Sequence, residues 1–268
     1  MFCATRSIQN KSDMVLNIRN FSLFIHANRR CNQLLHDVSL SISTGERVAI
    51  VGASGAGKTI LTRALLSILP PKATVDPQSI IQFQGQDLYK NGLPVKDIKP
   101  SMAIILQDPH TSLNPALRIE EQVAEVLPKG LTRSEQRARV LEILQTVYLD
   151  DPERVSGAYP FELSGGMAQR VMIAIMLSLN PQLLIADEPT SALDAPVGIG
   201  IMRLIIDKIQ KRNASFLLIS HDINMVKNFC DRIVVMSHGK VVEVLSVADL
   251  HNAQHPKTQQ LLNIGKNL

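Results

Sequence analysis

Gly52-Ala53-Ser54-Gly55-Ala56-Gly57-Lys58-Thr59 is the stretch on which the fold turns. It fits a glycine, four free positions, Gly-Lys and then Ser or Thr, the pattern of a phosphate-binding loop. Before it, Glu46 to Val51 reads ERVAIV, a short apolar run suited to a buried strand. After it, from Lys58 to Leu69, Leu61, Leu65, Leu66 and Leu69 recur at helical spacing. Strand, glycine loop and helix is the context in which the pattern carries weight. Glycines let successive backbone N–H groups turn into one concavity, and the helix that begins there adds the partial positive charge of its N-terminus. Lys58 can reach the outer phosphates as a point charge, and the Thr59 hydroxyl can ligate Mg²⁺. A ligand-free Gly/Ala turn is the bland alternative. The fixed positions and their flanks favour a nucleotide site running from Gly52, Ala53, Ser54, Gly55, Ala56 and Gly57 through Lys58 and Thr59 to Ile60.

At 268 residues the chain has room for one large α/β domain with an inserted subdomain. Its 45% hydrophobic and 19% charged residues are ordinary for a globular protein. A formal charge of +4 is explained by a solvated basic exterior, and Lys and Arg form no dense run, so nucleic acid is not expected as a partner. Cys3, Cys31 and Cys230 are scattered without metal-type spacing, which points to a reducing compartment. The longest apolar stretch, Val171 to Leu179, is too short to span a bilayer, and the first residues lack the apolar core of a signal peptide. Residues 1–13 read as a flexible leader, with Met14 an alternative start, and an intracellular protein is expected.

Met14 to Ile25 and Leu34 to Ile42 are rich in strand formers and have no helical pattern between them, so they are expected as an antiparallel layer. Pro70-Pro71 is expected to end the first helix. Ser79 to Phe83 and Met102 to Leu106 are further strands. Ala116 to Leu127 and Ser134 to Leu149 then read as amphipathic helices with no strand between them, so residues 108–160 are taken as a helical insertion. A strand-helix rhythm resumes: a helix within Leu163 to Leu179, a strand at Leu183 to Ala186, a helix at Pro196 to Lys211, a strand at Phe216 to Ile219 and a helix at Ile223 to Cys230. Ile233 to Met236 and Val241 to Val244 form a hairpin around His238-Gly239, with residues 240–268 read as a short C-terminal segment.

Two further stretches carry chemistry. Leu183 to Thr190 reads LLIADEPT, apolar residues ending in the adjacent carboxylates Asp187 and Glu188. Ligands of open parallel sheets bind at that end of a strand. Beside a phosphate loop, Asp187 suits Mg²⁺ and Glu188 suits a water-polarising base. Leu163-Ser164-Gly165-Gly166-Met167 is a second glycine turn opening a helix, and so a second anion-binding helix N-terminus.

Together these stretches resemble an ABC transporter ATPase subunit over nearly the whole chain from Met14. Gly52 to Thr59 matches the Walker A loop, Leu183 to Glu188 the Walker B strand and Leu163 to Met167 the family signature. Gln107 matches the Q-loop glutamine, Ser191 to Asp194 the D-loop and His221 the switch histidine. The resemblance implies a P-loop core with a mostly parallel sheet, an N-terminal antiparallel β layer and an inserted helical subdomain. It implies ATP and Mg²⁺, the ion held at Thr59, Gln107 and Asp187. ATP would lie between the Walker A loop of one cassette and the signature of a second, identical or homologous, with the D-loop Asp194 at that junction. Glu188, His221 and Gln107 would be catalytic. Transmembrane permease subunits would be the direct partners, an extracytoplasmic substrate-binding protein an indirect one, and the location peripheral on the cytoplasmic face of the cell membrane.

Gln107 to Pro115 (QDPHTSLNP), Tyr159 to Glu162 and His255 to Thr258 are similar to the peptide/nickel importer ATPases, which implies nickel, dipeptides or oligopeptides as cargo. Many members continue into a cysteine-containing tail; the chain stops at Leu268 without one, which tilts the expectation toward nickel-type subunits. Where the family places an aromatic residue to stack on adenine, this sequence has Arg29, flanked by His26, Arg30 and, a few residues earlier, Phe24. Two rival readings are weighed: an ABC ATPase acting on ribosomes or DNA without a membrane partner, whose usual second cassette or long coiled coil is not visible in this sequence, and a cassette that binds ATP without hydrolysing it, against which the presence of Lys58, Glu188, Ser164 and His221 argues.

Overall fold

The computed structural model describes residues 14–27, 30–95 and 101–264. The leader and Arg29 lie outside the described residues. The antiparallel layer is built from β1 (Met14–Ala27) and β2 (Arg30–Ser43), joined on β1 by β4 (Ala73–Val75) and β5 (Ile80–Phe83), with β6 (Gln86–Asp87) at its edge. A small ladder of β7 (Tyr89–Lys90) and β8 (Leu93–Pro94) stands beside it. The larger sheet runs in the order β13 (Lys240–Ser246), β12 (Arg232–Ser237), β3 (Arg47–Val51), β11 (Ser215–Ile219), β10 (Leu183–Asp187) and β9 (Met102–Ile105). Its pairings are parallel except for the β12–β13 hairpin.

Both faces of the larger sheet are covered, which is why its strands read as apolar runs instead of alternating. Ala49, Val51, Leu184, Ala186, Phe216 and Leu218 face one core, shared with the helices. Val48, Ile50, Leu183, Ile185, Leu217 and Ile219 face the other, shared with the antiparallel layer. Cys230 is buried, which pushes its thiol up to about 12, while Cys31 is exposed; both are free.

α1 (Lys58–Leu65) follows β3 but stops four residues short of the Leu69 expected from spacing. The cause is local. Ser67 takes a left-handed φ of 57°, Ile68 N–H donates to Arg63 O and Ser67 N–H to Ala64 O, the paired bonds of a Schellman end. The helical segment between β9 and the second glycine turn holds α2 (Ile119–Ala124), α3 (Arg133–Gln145) and α4 (Pro152–Gly157). α2 is half the expected length: at its start the Gln122 amide closes the preceding loop, donating to Asn114 O and Leu117 O, and beyond its end Val126 N–H donates to Val123 O and Leu127 N–H to Ala124 O in tighter turns. α3 opens on a capping box in which Thr132 and Glu135 satisfy each other's backbone N–H. It ends at Gln145, short of Leu149, near Tyr148 with its left-handed φ of 58°. α5 (Gly165–Ser178), α6 (Ala195–Gln210) and α7 (Ile223–Phe229) complete the crossovers. α8 (Pro256–Ile264), which the sequence reading left unassigned, begins behind Glu243, whose carboxylate accepts from Gln254 N–H and His255 N–H.

Candidate nucleotide site

Register decides what meets at the carboxyl edge of the larger sheet. Asp187 lies opposite Ile219, and Ile219 opposite Ile50, with β11 between β10 and β3. The residues that follow these strands, Glu188, Ser220-His221 and Gly52, therefore emerge side by side. Gln107 leaves the end of neighbouring β9. A cleft of about 880 Å³ opens there, lined by Gly52 through Ile60, Gln107, Asp187, Glu188 and His221. Ligand crevices of open α/β sheets form at this edge.

The loop wraps as its glycines permit. Gly57, with φ 102°, caps α1, and a Cβ there would come within 2.6 Å of Leu35 Cδ2. Gly52 approaches the Met236 carbonyl so closely that a Cβ would lie 2.3 Å from it. Lys58 Nζ curls back over the loop and donates to Gly52 O at 2.7 Å and Ala53 O at 3.1 Å. Its third proton is available to the cleft.

Glu188 is held with unusual care. Its backbone sits at φ 48°, sparsely populated for a non-glycine residue. One carboxylate oxygen accepts from His221 N–H at 3.0 Å and from His221 Nδ1 at 2.6 Å; the other accepts from the Ser220 hydroxyl at 3.3 Å. The Glu188 side chain is 15% exposed and that of His221 78%, so the imidazole stands out into the cleft.

Asp187 is 9% exposed and its carboxylate has no hydrogen-bond partner among the described residues. Burial first, then the adjoining Glu188 carboxylate, raise its pKa, with Lys58 pulling it back. The folded value therefore lies above the unfolded one. Stability from this group is fully present in acid and declines as pH rises from the unfolded value, ~4, through the folded one. Asp187→Asn is accordingly expected to melt a few degrees above the wild type at about pH 7.5 when free of nucleotide, with the difference closing toward about pH 4. Differential scanning fluorimetry across that range checks it, and a lower melting temperature at neutral pH would reveal a stabilising partner for the carboxylate. An unpartnered, part-desolvated carboxylate lining the same cleft as Thr59 and Gln107 completes a hard-oxygen donor set of the kind Mg²⁺ takes. Among the described residues no cluster of three His, Cys, Asp or Glu side chains could hold a metal by itself.

The second glycine turn lies elsewhere. Ser164 caps α5, its hydroxyl accepting from Met167 N–H at 3.3 Å. None of Leu163, Ser164, Gly165, Gly166 or Met167 lines the cleft. The turn packs instead on the segment before α6: a Cβ on Gly166 would lie 3.3 Å from Ala192 O and Leu193 Cδ2. Asp194 follows as the residue before α6, exposed and with no side-chain cap bond.

A family model described as "ABC transporter" matches residues 35–191. The chain belongs to the ABC transporter family. It is 39% identical over 261 residues to the peptidoglycan transport ATP-binding protein YejF of Agrobacterium fabrum, covering 95% of this chain and 47% of that protein. It is 40% identical over 253 residues to the oligopeptide transport ATP-binding protein AppD of Bacillus subtilis, covering 92% and 77%. Among solved structures it is similar to the ATP-binding cassette MJ0796, seen as a dimer in a post-hydrolysis state bound to ADP and Pi. That likeness has a TM-score of 0.69 and 28% identity, over 87% of this chain and 98% of that one. The ABC ATPase fold expected from the sequence is thus the fold observed, and the enzyme activity of this class is ATP hydrolysis.

Other cleft residues were not marked as a site by their sequence: Leu34, the Met236-Ser237-His238 turn, and Lys257, Gln260 and Leu261 of α8. The hairpin and the His255–Thr258 stretch were both legible, but nothing in either run of residues says that it borders a nucleotide. Of the residues considered for adenine stacking, His26 and Arg30 are exposed and Phe24 is half-buried. His26 Nε2 is 3.0 Å from the Thr74 hydroxyl.

Proposed function

We propose that this chain is the ATP-hydrolysing subunit of a membrane importer for short peptides, working as one of two cassettes that close head to tail on ATP. The observation that carries the reading is the separation of two anion-binding helix N-termini. One lines the cleft with Lys58; the other, at Ser164, is outside its own chain's cleft and free to face another. In this reading Gly52 to Ile60 cradle the phosphates, and Leu163 to Met167 of the companion cassette close over the γ-phosphate, with Asp194 at the junction. Glu188 takes a proton from the attacking water, and His221, bonded to it through Nδ1, directs its other ring nitrogen toward the γ-phosphate. Thr59, Asp187 and Gln107 would hold Mg²⁺, which would supply positive charge against the negative charge of the phosphates. Gln107 also joins the site to the helical segment of residues 108–160.

Closure on ATP and reopening after hydrolysis would switch permease subunits between two states, an extracytoplasmic binding protein supplying the cargo. Among the described residues no helix is long and apolar enough to cross a membrane. That accords with a peripheral subunit on the cytoplasmic face whose span is provided by other chains. The name of the relative AppD, an oligopeptide transport ATP-binding protein, favours peptide cargo over nickel. A strain lacking this gene, supplied with an essential amino acid only as a di- or oligopeptide, is expected to stop growing. Growth should return with the wild-type gene and not with Lys58→Ala. Growth lost only under nickel limitation would move the cargo to nickel. Unimpaired growth in both media, with the protein co-sedimenting with ribosomes or DNA, would favour the rival reading.

A further inference from the structure

Gln169 lies five residues beyond Ser164 on α5 and is fully buried, among the apolar Ala168, Val171, Met172 and Ile173. Its amide nitrogen donates to Pro189 O at 2.8 Å and to Leu106 O at 3.3 Å. Pro189 immediately follows Glu188, and Leu106 immediately precedes Gln107. Both amide protons are thereby used on the chain flanking the two cleft residues, while Oε1 has no partner. Buried carbonyls at strand ends need donors. An apolar residue of similar size would fill the same space and leave both unpaired.

The bond to Pro189 falls where the chain most needs fixing. Glu188 holds a left-handed backbone that persists only when its surroundings over-determine it. Glu188 N–H donates to Ile219 O at 2.9 Å, and Ser191 N–H to Glu188 O at 3.2 Å. Gln169 adds a third restraint, and the only one of these three that comes from α5, the helix headed by the Ser164 turn. We infer that Gln169 is a positioning residue, a clamp that ties α5 to the backbone on either side of Glu188 and Gln107. Engagement of the Ser164 turn by the other cassette's nucleotide is thereby felt at this chain's own water-activating carboxylate. The inference rests on the hydrolytic reading of Glu188.

The test uses the full chain, with its companion cassette where one is required, as wild type, Gln169→Met and Gln169→Glu. Methionine keeps the length and has no donor; glutamate keeps the shape with a single donor when burial holds it protonated and none when ionised, so neither can serve both carbonyls. Steady-state hydrolysis should show kcat down about tenfold or more in both variants, with KM for ATP and the Kd of a fluorescent ATP analogue within about twofold of wild type. Hydrogen exchange should rise in the segments just after Leu106 and Pro189 and stay unchanged in β3 and β11. Unchanged kcat, or affinity falling in step with kcat, would overturn the clamp. If the wild type itself proved inactive, the hydrolytic reading would fall separately, and the exchange measurement would still decide: unaltered exchange in both segments ends the proposal.

Discussion

Glu188→Gln is expected to lower steady-state ATP hydrolysis by about 10²–10³-fold while leaving nucleotide affinity and melting temperature close to wild type. The change keeps the side chain's shape. Gln Oε1 can still accept from His221 N–H, and the new amide can donate to the Ser220 hydroxyl, which lies 3.3 Å from the present Oε2. What is lost is the basic oxygen. Glu188 in the wild type has a carboxylate that is only 15% exposed, bonded to His221 through one oxygen and to Ser220 through the other, and it lines the cleft. An amide in that place cannot take a proton from water. With hydrolysis blocked and binding intact, the ATP-closed state should accumulate. Size-exclusion chromatography of the variant with ATP and Mg²⁺ should show a dimer, of this chain or with its companion cassette, that disperses when ATP is removed. Undiminished turnover would remove Glu188 from the role of base. Turnover lost together with affinity would mean that the residue serves binding instead.

The parts of this arrangement that the sequence discloses are those fixed by local chemistry. ERVAIV, LLIADEPT and the Phe216–Ile219 run are apolar because two cores press on the larger sheet, so their strands are found within one residue of expectation. The glycines of the loop are read correctly because a turn of that curvature admits few alternatives. Errors arise where a side chain or a single backbone angle overrules periodicity. Leu66 and Leu69 continue the helical spacing of α1, yet the left-handed Ser67 stops it. Gln122 spends its amide on Asn114 and Leu117 and holds the residues before Ile119 in a loop, a side-chain choice invisible in a helical wheel. The site divides in the same way. Gln107, Asp187, Glu188 and His221 sit at or just beyond the ends of β9, β10 and β11, and recognising those three strand ends suffices to bring them together. The contribution of α8 depends on how β13 returns the chain across the sheet, and Gln169 depends on an α5 helix whose pattern looks wholly apolar on that face. Neither is a property of spacing.

Lys58→Ala is expected to weaken ATP binding by about 10²-fold, measured by isothermal titration calorimetry with the nucleotide as its Mg²⁺ complex. Without nucleotide the ammonium is occupied by the loop itself, through Gly52 O and Ala53 O. An arriving triphosphate offers anionic oxygens in place of neutral carbonyls, so that both partners of each bond, and not the ammonium alone, then carry charge. Binding thus exchanges weaker bonds for stronger ones, and the loss on truncation should exceed what the two present contacts contribute to folding. The fold tolerates the change, since Lys58 heads α1 at its solvent-facing first turn and alanine suits a helix. The melting temperature without ATP should therefore move little, while the stabilisation that ATP confers on the wild type should largely disappear. Lys58→Arg separates charge from geometry. The planar guanidinium does not fit the space above a tightly wound loop as a compact ammonium does, so it should restore only a fraction of the affinity. Unchanged ATP affinity in Lys58→Ala would mean that the backbone amides of Gly52 to Thr59 hold the phosphates unaided, and that the lysine only braces the loop.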